Sequence, residues 1–343
     1  ITVAAYKAAG LMESNDTVLI SFDKKLSDDA KLKESVSEVV REALEKTKSV
    51  HTVVYATATD NDETAAIAKK YGVSQGKAQL IAAAKKNSSM VKACYELKNN
   101  PDVKGLVSAG STGALLTGAY LIVGRIGGIQ KPALATVLPH LDRKGVVLCD
   151  CGANAECRPV HLEQFAVMGS AFCSAMLGIK NPKVGLLNNG AEECKGDEVH
   201  KEAYAFMSKS NTFNFCGNVE GRDILSGEAD VVVADGFSGN VALKSIEGTA
   251  LGVFKLIKKG MQEGGFKAKI GALLFKPVLR HIKHKLDYSE VGGACFLGVN
   301  KVVVKAHGSS DRVAICSAVL QAKNLAEAGI IEKIKSDLDK IKE

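Results

Sequence analysis

The residues able to do chemistry sit in short runs rich in Gly, Ser, Asn and Asp. These are Asn87-Ser88-Ser89, Ser111-Thr112-Gly113, Asp150-Cys151-Gly152-Ala153-Asn154, Asn188-Asn189-Gly190, Asp235-Gly236-Phe237-Ser238-Gly239-Asn240 and His307-Gly308-Ser309-Ser310. A Gly-rich turn that opens a helix presents unpaired backbone N–H groups at the positive end of the helix dipole, which suits a phosphate. Ser and Asn are also the ordinary helix N-caps, so any single run reads first as capping. Several in one chain point to an oxyanion ligand. Lys195, in Glu192-Glu193-Cys194-Lys195-Gly196, can clamp a phosphate or a developing oxyanion; the alternative is a solvated loop lysine beside two glutamates. His161 and His307 are candidate acid–base groups near neutral pH. His161 opens a helical stretch and reads also as a cap, while His307, in a Gly-Ser turn, is the stronger candidate.

Nucleophiles are scarce. Gly236-Phe237-Ser238-Gly239 approaches a nucleophile elbow, but no His or acid follows it in an obvious triad order. Covalent catalysis is not favoured. The chain also lacks GxxxxGK[ST] and a GxGxxG followed by an acidic residue, which argues against a P-loop nucleotide site and a Rossmann dehydrogenase.

The elements that must position these residues are apolar, β-branched runs alternating with helical patterns, the mark of an α/β fold with a mostly parallel sheet covered by helices. Candidate strands are 103–108, 132–137, 146–150, 183–187, 212–216, 230–234 and 301–305. In open α/β sheets ligands bind at the carboxyl ends of strands. Five strand ends carry polar runs, and they predict one converging cleft. The uncharged run Gly105 to Gly124 is long enough for a membrane span, yet its five glycines and four Ser and Thr residues read as strand, Ser/Gly turn and apolar helix.

The chain has 343 residues with 46% hydrophobic and 24% charged side chains, an ordinary folded composition of one large unit or two domains. It has no Trp and few aromatics, which disfavours stacking on nucleic acid. The nine cysteines are scattered, mostly in apolar runs, and read as buried thiols of a reducing cytosol. Cys149, Cys151 and Cys157 lack the paired spacing of a zinc site, so no metal is expected. Ile1 to Gly10 shows neither the basic start nor the apolar stretch of a secretory signal. Texture changes near residue 84/85. The segment 1–84 reads as an atypical N-terminal α/β unit: a charged helical pattern over 28–48, an apolar strand over 51–58 and a helical stretch over 62–71. The segment 85–343 forms the main body.

The formal charge of +7 is concentrated. Between Lys255 and Leu286 stand nine Lys and Arg against one acid, Glu263, a net +8. Apolar residues fall between them at helical spacing, interrupted by Pro277. A basic amphipathic helix lies well on an anionic bilayer, at about 1 kcal/mol per cation, or docks an acidic protein; a solvated helix packed on the core is the plain alternative. Lys267, Lys269, Leu273, Leu274, Phe275, Lys276, Arg280 and Lys283 are the contact candidates.

Together, Lys85-Lys86-Asn87-Ser88-Ser89-Met90, Ser108-Ala109-Gly110-Ser111-Thr112-Gly113-Ala114, Val123-Gly124-Arg125-Ile126, Cys151-Gly152-Ala153-Asn154, His161-Leu162, Gly185-Leu186-Leu187-Asn188, Gly217-Asn218-Val219-Glu220, Asp235 to Val241 and Lys305 to Asp311 resemble the bacterial phosphate acyltransferases, in order from about Lys85 to Ile331. The resemblance implies transfer of a fatty acyl chain from acyl carrier protein to inorganic phosphate, giving acyl phosphate for phospholipid synthesis. It implies a fold similar to phosphotransacetylase and isocitrate-dehydrogenase-like enzymes, and a cytoplasmic homodimer lying peripherally on the membrane, without a cofactor. Phosphate is then the nucleophile, and the protein holds it beside the thioester and stabilises the oxyanion. By matched position, Lys195 and Asn240 contact the reacting groups. Asn87, Ser88, Ser89, Ser111, Thr112, Asp150, Asn154, His161, Asn188, Asp235, Ser238, His307, Ser309 and Ser310 are expected around phosphate and substrate, and the basic segment faces membrane and carrier. Residues 1–84 depart: the family's opening strand and Val-Asp-Ala-Met-Gly-Gly-Asp-type turn have no match there. Asn15 to Ser21 and Tyr71 to Ala78 resemble, more weakly, a domain of membrane-bound anti-sigma factors. A catalytically impaired membrane- or carrier-binding module, or an acyl-CoA phosphotransacylase, are the alternative readings.

Overall fold

A computed structural model describes residues 52–55, 89–265, 271, 274–279, 282, 292–308 and 310–340. The helical expectations for 28–48 and 62–71 lie outside these residues, as do Asn87, Ser88, Lys267, Lys269, Leu273, Arg280, Lys283 and Ser309.

The strands are β1 (Thr52–Tyr55), β2 (Gly105–Ser108), β3 (Ala133–Leu138), β4 (Val146–Cys149), β5 (Lys183–Asn188), β6 (Asn214–Glu220), β7 (Val231–Val233), β8 (Ala294–Leu297) and β9 (Val302–Lys305). They form one sheet in the order β1-β2-β9-β8-β3-β4-β7-β5-β6. The expected strands are all present, with ends that differ by up to four residues, and β1 from within 1–84 pairs in parallel with β2. Only β8 lacked a sequence expectation. It is a four-residue strand just after two glycines, and so short a run carries little periodic signal.

Side chains alternate across the sheet. Val147, Cys149, Val231 and Val304 join one apolar cluster, and Val146, Leu148, Val232 and Val303 join another. Both faces are therefore covered. One layer holds α3 (Pro159–Leu177), α4 (Glu198–Met207), α6 (Arg312–Glu327) and α7 (Ile330–Asp339); the other holds α1 (Ser89–Asn99), α2 (Thr112–Gly118) and the start of α5 (Gly236–Glu263). The apolar run 105–124 resolves into β2, α2 and a π-turn over Ala119–Val123, as its glycines predict. Among the described residues no helix is long and apolar enough to cross a membrane.

Strand direction overturns the single converging cleft. β1, β2 and β9 are mutually parallel, β8 and β3 pair antiparallel in succession, and β4 is antiparallel to β3 but parallel to β7, which leads in parallel to β5 and β6. Five of the eight neighbouring pairs are parallel, yet β4, β5 and β7 run opposite to β2 and β9. The carboxyl ends of β2 and β9 therefore emerge at the sheet edge opposite to those of β4, β5 and β7. Alternation and propensity are blind to this reversal, because a strand reads the same in either direction.

Helix starts also differ from expectation. The caps of α5 and α6 are Asp235 and Asp311, whose Oδ1 atoms accept from Phe237 and Ser238 N and from Ala314 N. Ser238 thus lies inside the first turn, and Ser310 precedes the cap. Two carboxylates have taken the positions the Ser residues suggested, as the positive end of a helix dipole favours. Among the cysteines, Cys194 and Cys216 are exposed, Cys157 is half-buried and the other six are buried.

In α5 only Gly236 and Gly239 are buried. A Cβ on Gly239 would stand 2.0 Å from the Asp150 carbonyl oxygen, whereas one on Gly248 meets open space. Gly239→Ala is therefore expected to cost about 1–3 kcal/mol through overpacking, and Gly248→Ala to stabilise by about 0.5–1 kcal/mol. Urea unfolding of both variants checks this, and equal midpoints would refute it.

Candidate active site

The site is built on the edge where β4, β5 and β7 end. Asp150 follows β4 and is fully buried. Its Oδ1 accepts from Leu134 N at 3.0 Å, Gly152 N at 3.0 Å and Ala153 N at 2.9 Å. Its Oδ2 accepts from Asn154 N and Asn154 Nδ2, each at 2.8 Å. Burial pushes the carboxyl above its ordinary range, while these donors favour the ionised form. Both oxygens are occupied by the protein's own backbone and the Asn154 amide, so Asp150 positions the loop against β3 and does not face a substrate. Asn154 is likewise engaged, its Nδ2 donating also to Pro132 O at 2.7 Å.

The first turn of α5 lies directly on this loop. Gly236 N donates to Asn154 O at 2.7 Å, and a Cβ on Gly236 would fall 2.6 Å from Asn154 N. Gly152, at φ 141°, leaves room for the Asn240 side chain, whose Nδ2 is 3.5 Å from where a Cβ would stand. Asn240 itself is exposed.

The loop after β5 is a web of asparagines. Asn188 Nδ2 donates to Lys195 O and to Asn218 Oδ1, both at 3.1 Å. Asn218 Nδ2 donates to Glu192 O at 2.8 Å, and Gly196 N donates to Asn189 Oδ1 at 3.1 Å. Gly190 is bare beneath the Lys195 stem; a Cβ there would meet Lys195 Cγ at 2.7 Å. The Lys195 backbone is thus fixed while its side chain is exposed. Asn188 acts as a loop brace.

His200 carries no signal in the motifs and proves central to the geometry. Its Nδ1 lies 2.7 Å from Asp197 Oδ1 and its Nε2 3.9 Å from Asp235 Oδ2. Asp197 caps α4 through His200 N at 2.9 Å, and the His200 side-chain hydrogen bond holds the Asp197 carboxyl below its ordinary range. The imidazole thus sits between two helix caps, hydrogen-bonded to Asp197 of α4 and 3.9 Å from Asp235 of α5. The readable signal is Asp197-Glu198-Val199-His200, a capping spacing just after Gly196.

The other sequence candidates stand apart. Ser111, Thr112, His307 and Ser310 follow β2 and β9 at the opposite edge, where Ala306 N donates to Ser108 O at 2.9 Å. Lys305 is half-buried there and burial lowers its ammonium to about 8. Ser89 opens α1. His161 is 3% exposed and is a cap, its Nδ1 accepting from Arg158 N at 3.0 Å. Leu274, Phe275 and Lys276 lie on a helical stretch over 274–279 and are exposed.

Residues 30–333 match the family described as fatty acid synthesis protein. The phosphate acyltransferase of Streptococcus uberis is 48% identical over 256 residues, 75% of this chain and 76% of that relative. That of Geobacillus thermodenitrificans is 50% identical over 256 residues, 75% and 77% respectively. Among solved structures, a phosphotransacetylase from Streptococcus pyogenes superposes with TM-score 0.54 at 15% identity, covering 95% of this chain and 99% of that one. A branched-chain phosphotransacylase from Enterococcus faecalis V583 gives 0.53 at 15%, covering 92% and 99%. A mixed, mostly parallel sheet between helical layers is thus the fold shared with the phosphotransacetylases. The chain belongs to the fatty acid synthesis protein family, whose curated relatives here are named phosphate acyltransferases. The match takes in residues 30–84, beyond the reach of the individual motifs.

Desolvation, with Lys131 and Arg158 nearby, lowers the His161 imidazole from 6.5 to about 4. The unfolded chain takes up a proton here below 6.5 that the folded chain refuses until about 4, so this contribution is complete above 6.5 and is lost as pH falls to about 4. The stability gap between wild type and His161→Gln should narrow across that window in urea titrations. A constant gap would contradict the cap assignment.

Proposed function

We propose that the protein transfers a fatty acyl group from the thioester of acyl carrier protein to inorganic phosphate, forming acyl phosphate for phospholipid synthesis. A phosphate oxygen attacks the thioester carbonyl carbon, the C–O bond forms, the C–S bond breaks, and the thiolate leaves to take up a proton. No protein nucleophile takes part. What supports the reading is the placement of an exposed cation and an exposed amide on the same sheet edge: Lys195 in the braced loop after β5 and Asn240 in the start of α5, packed beside the Asp150 loop. Lys195 offers charge to the phosphate and the developing oxyanion, and the Asn240 amide offers a neutral donor. The protein acts as a cytoplasmic homodimer resting peripherally on anionic membrane through the basic segment, which lies at the far end of α5 and beyond.

Lys195→Ala and Asn240→Ala should each lower acyl phosphate formation by about 10²-fold, the scale for losing one transition-state donor. The assay compares carrier-protein and coenzyme A thioesters side by side. Near-normal turnover in either variant removes that residue from the mechanism, and a preference for coenzyme A replaces the donor.

For the membrane, Lys276→Glu combined with Arg280→Glu and Lys283→Glu should abolish sedimentation with anionic vesicles while leaving the melting temperature unchanged. Undiminished binding would return the segment to a solvated helix.

A further inference from the structure

A half-open cavity of about 590 Å³ lies beside the Asp150 loop, lined by Arg125, Lys131, Arg158, His161 and Glu156 among others. Its two walls are the segment leading into β3 and the segment leading into α3. Both are built rigidly. Gln164 is buried and grips the first wall, its Oε1 accepting from Gln130 N and its Nε2 donating to Gly128 O, each at 2.9 Å. Lys131 Nζ donates to Glu156 O at 2.8 Å, Arg125 Nη1 donates to Gln130 O at 2.6 Å, and the Arg158 guanidinium donates to Gln130 Oε1.

All these partners are neutral oxygens. Among the described residues no carboxylate forms an ion pair with Arg125, Lys131 or Arg158, so three cations face one cavity with the exposed Glu156 as the one acid in its lining. His161 adds a donor. Its Nδ1 accepts the Arg158 N–H, which leaves the proton of the neutral ring on Nε2. That Nε2 lies 3.4 Å from Arg158 Nη2. Two donors cannot satisfy each other, but one acceptor between them would satisfy both. Arg158 is exposed and already donates to Gln130 Oε1, so the donor in need of an acceptor is that of the buried His161; an ionised acceptor shared with the neighbouring cations is the strong solution.

We propose that this cavity is a binding site for a phosphorus oxyanion, either inorganic phosphate or the phosphate group of a pantetheine arm, held by Lys131, Arg158 and the His161 Nε2–H with Arg125 behind them. The site is distinct from Lys195 and Asn240, though on the same sheet edge, and its existence does not depend on the acyl-transfer reading.

The test follows the His161 ring signals, assigned by their loss in His161→Gln, in ¹H–¹⁵N spectra during separate titrations with inorganic phosphate and pantetheine 4′-phosphate. At least one titration should shift the Nε2 signal saturably, and the arm that does so names the source. Lys131→Gln and Arg158→Gln should each weaken that response about tenfold or more, while Lys98→Gln, an exposed cation on α1, leaves it unchanged. The cap survives in Arg158→Gln because its bond to Nδ1 comes from the backbone. A ring signal unmoved in both arms, equal affinity in the two variants, or an equal shift with chloride would overturn the proposal. Loss of turnover in Lys195→Ala with the His161 response intact would separate this site from the catalytic one.

Discussion

One buried carboxylate organises the working edge of this molecule. Asp150 gathers four backbone N–H groups and the Asn154 amide around two oxygens; the donors from Gly152, Ala153 and Asn154 fix the loop after β4, and that of Leu134 ties it to β3. Desolvating a carboxylate is expensive, so the arrangement holds only because every lone-pair direction is used. With the loop fixed, α5 can approach until its glycines touch the Asp150 and Asn154 backbones. Asn240 then has one place to be. A larger residue at 236 or 239 would push the helix away and carry Asn240 with it.

The second constraint is directional. Reversal of β3 and β8 at the centre of the sheet divides the polar turns into two groups on opposite edges. Lys195, His200, Asp235 and Asn240 belong to one. Ser111, Thr112, His307, Ser310 and the half-buried Lys305 belong to the other, whose conformations are set by the β2–β9 pairing. A chain that placed all its strand ends on one side would crowd every Gly-rich turn into a single opening. Here each edge keeps its own, and the Asp150 edge has room for both the Lys195 loop and the cationic cavity beside α3.

Much of this was legible in the residues. β-branched runs marked eight of the nine described strands, and Gly-Ser runs marked the turns. Lys195 was readable as a candidate anion clamp, but with a solvated loop lysine as the equal alternative, and Asn240 stood out only by matching a family pattern; nothing in Gly239-Asn240 alone separates it from an ordinary polar residue at a helix start. Other features were hidden for physical reasons. Strand direction leaves no trace in side-chain alternation. Asp150 looks like a ligand because it is a polar residue at an element end, yet burial has turned it inward, and His161 spends its Nδ1 on the cap of α3 while its ring borders the cavity. His200 is an ordinary residue on a helix face until the fold brings Asp235 to it. The cationic cavity draws on residues up to 36 positions apart, joined by Gln164 and Gly128, a distance no local motif spans.

The helix that carries Asn240 also carries a consequence for the rest of the molecule. α5 runs for 28 residues, but only its first turn is buried, and Leu251, Val253 and Leu256 stand exposed along its length. A long helix draws most of its stability from packing an apolar face. The Asp235 cap, the two glycine contacts and the partly buried Ala242, Leu243 and Ile246 hold its first three turns against the core. Asn240 lies within that packed stretch, one residue from Gly239 and four from Gly236. Its place is therefore set by contacts with the core and not by the exposed length of the helix beyond.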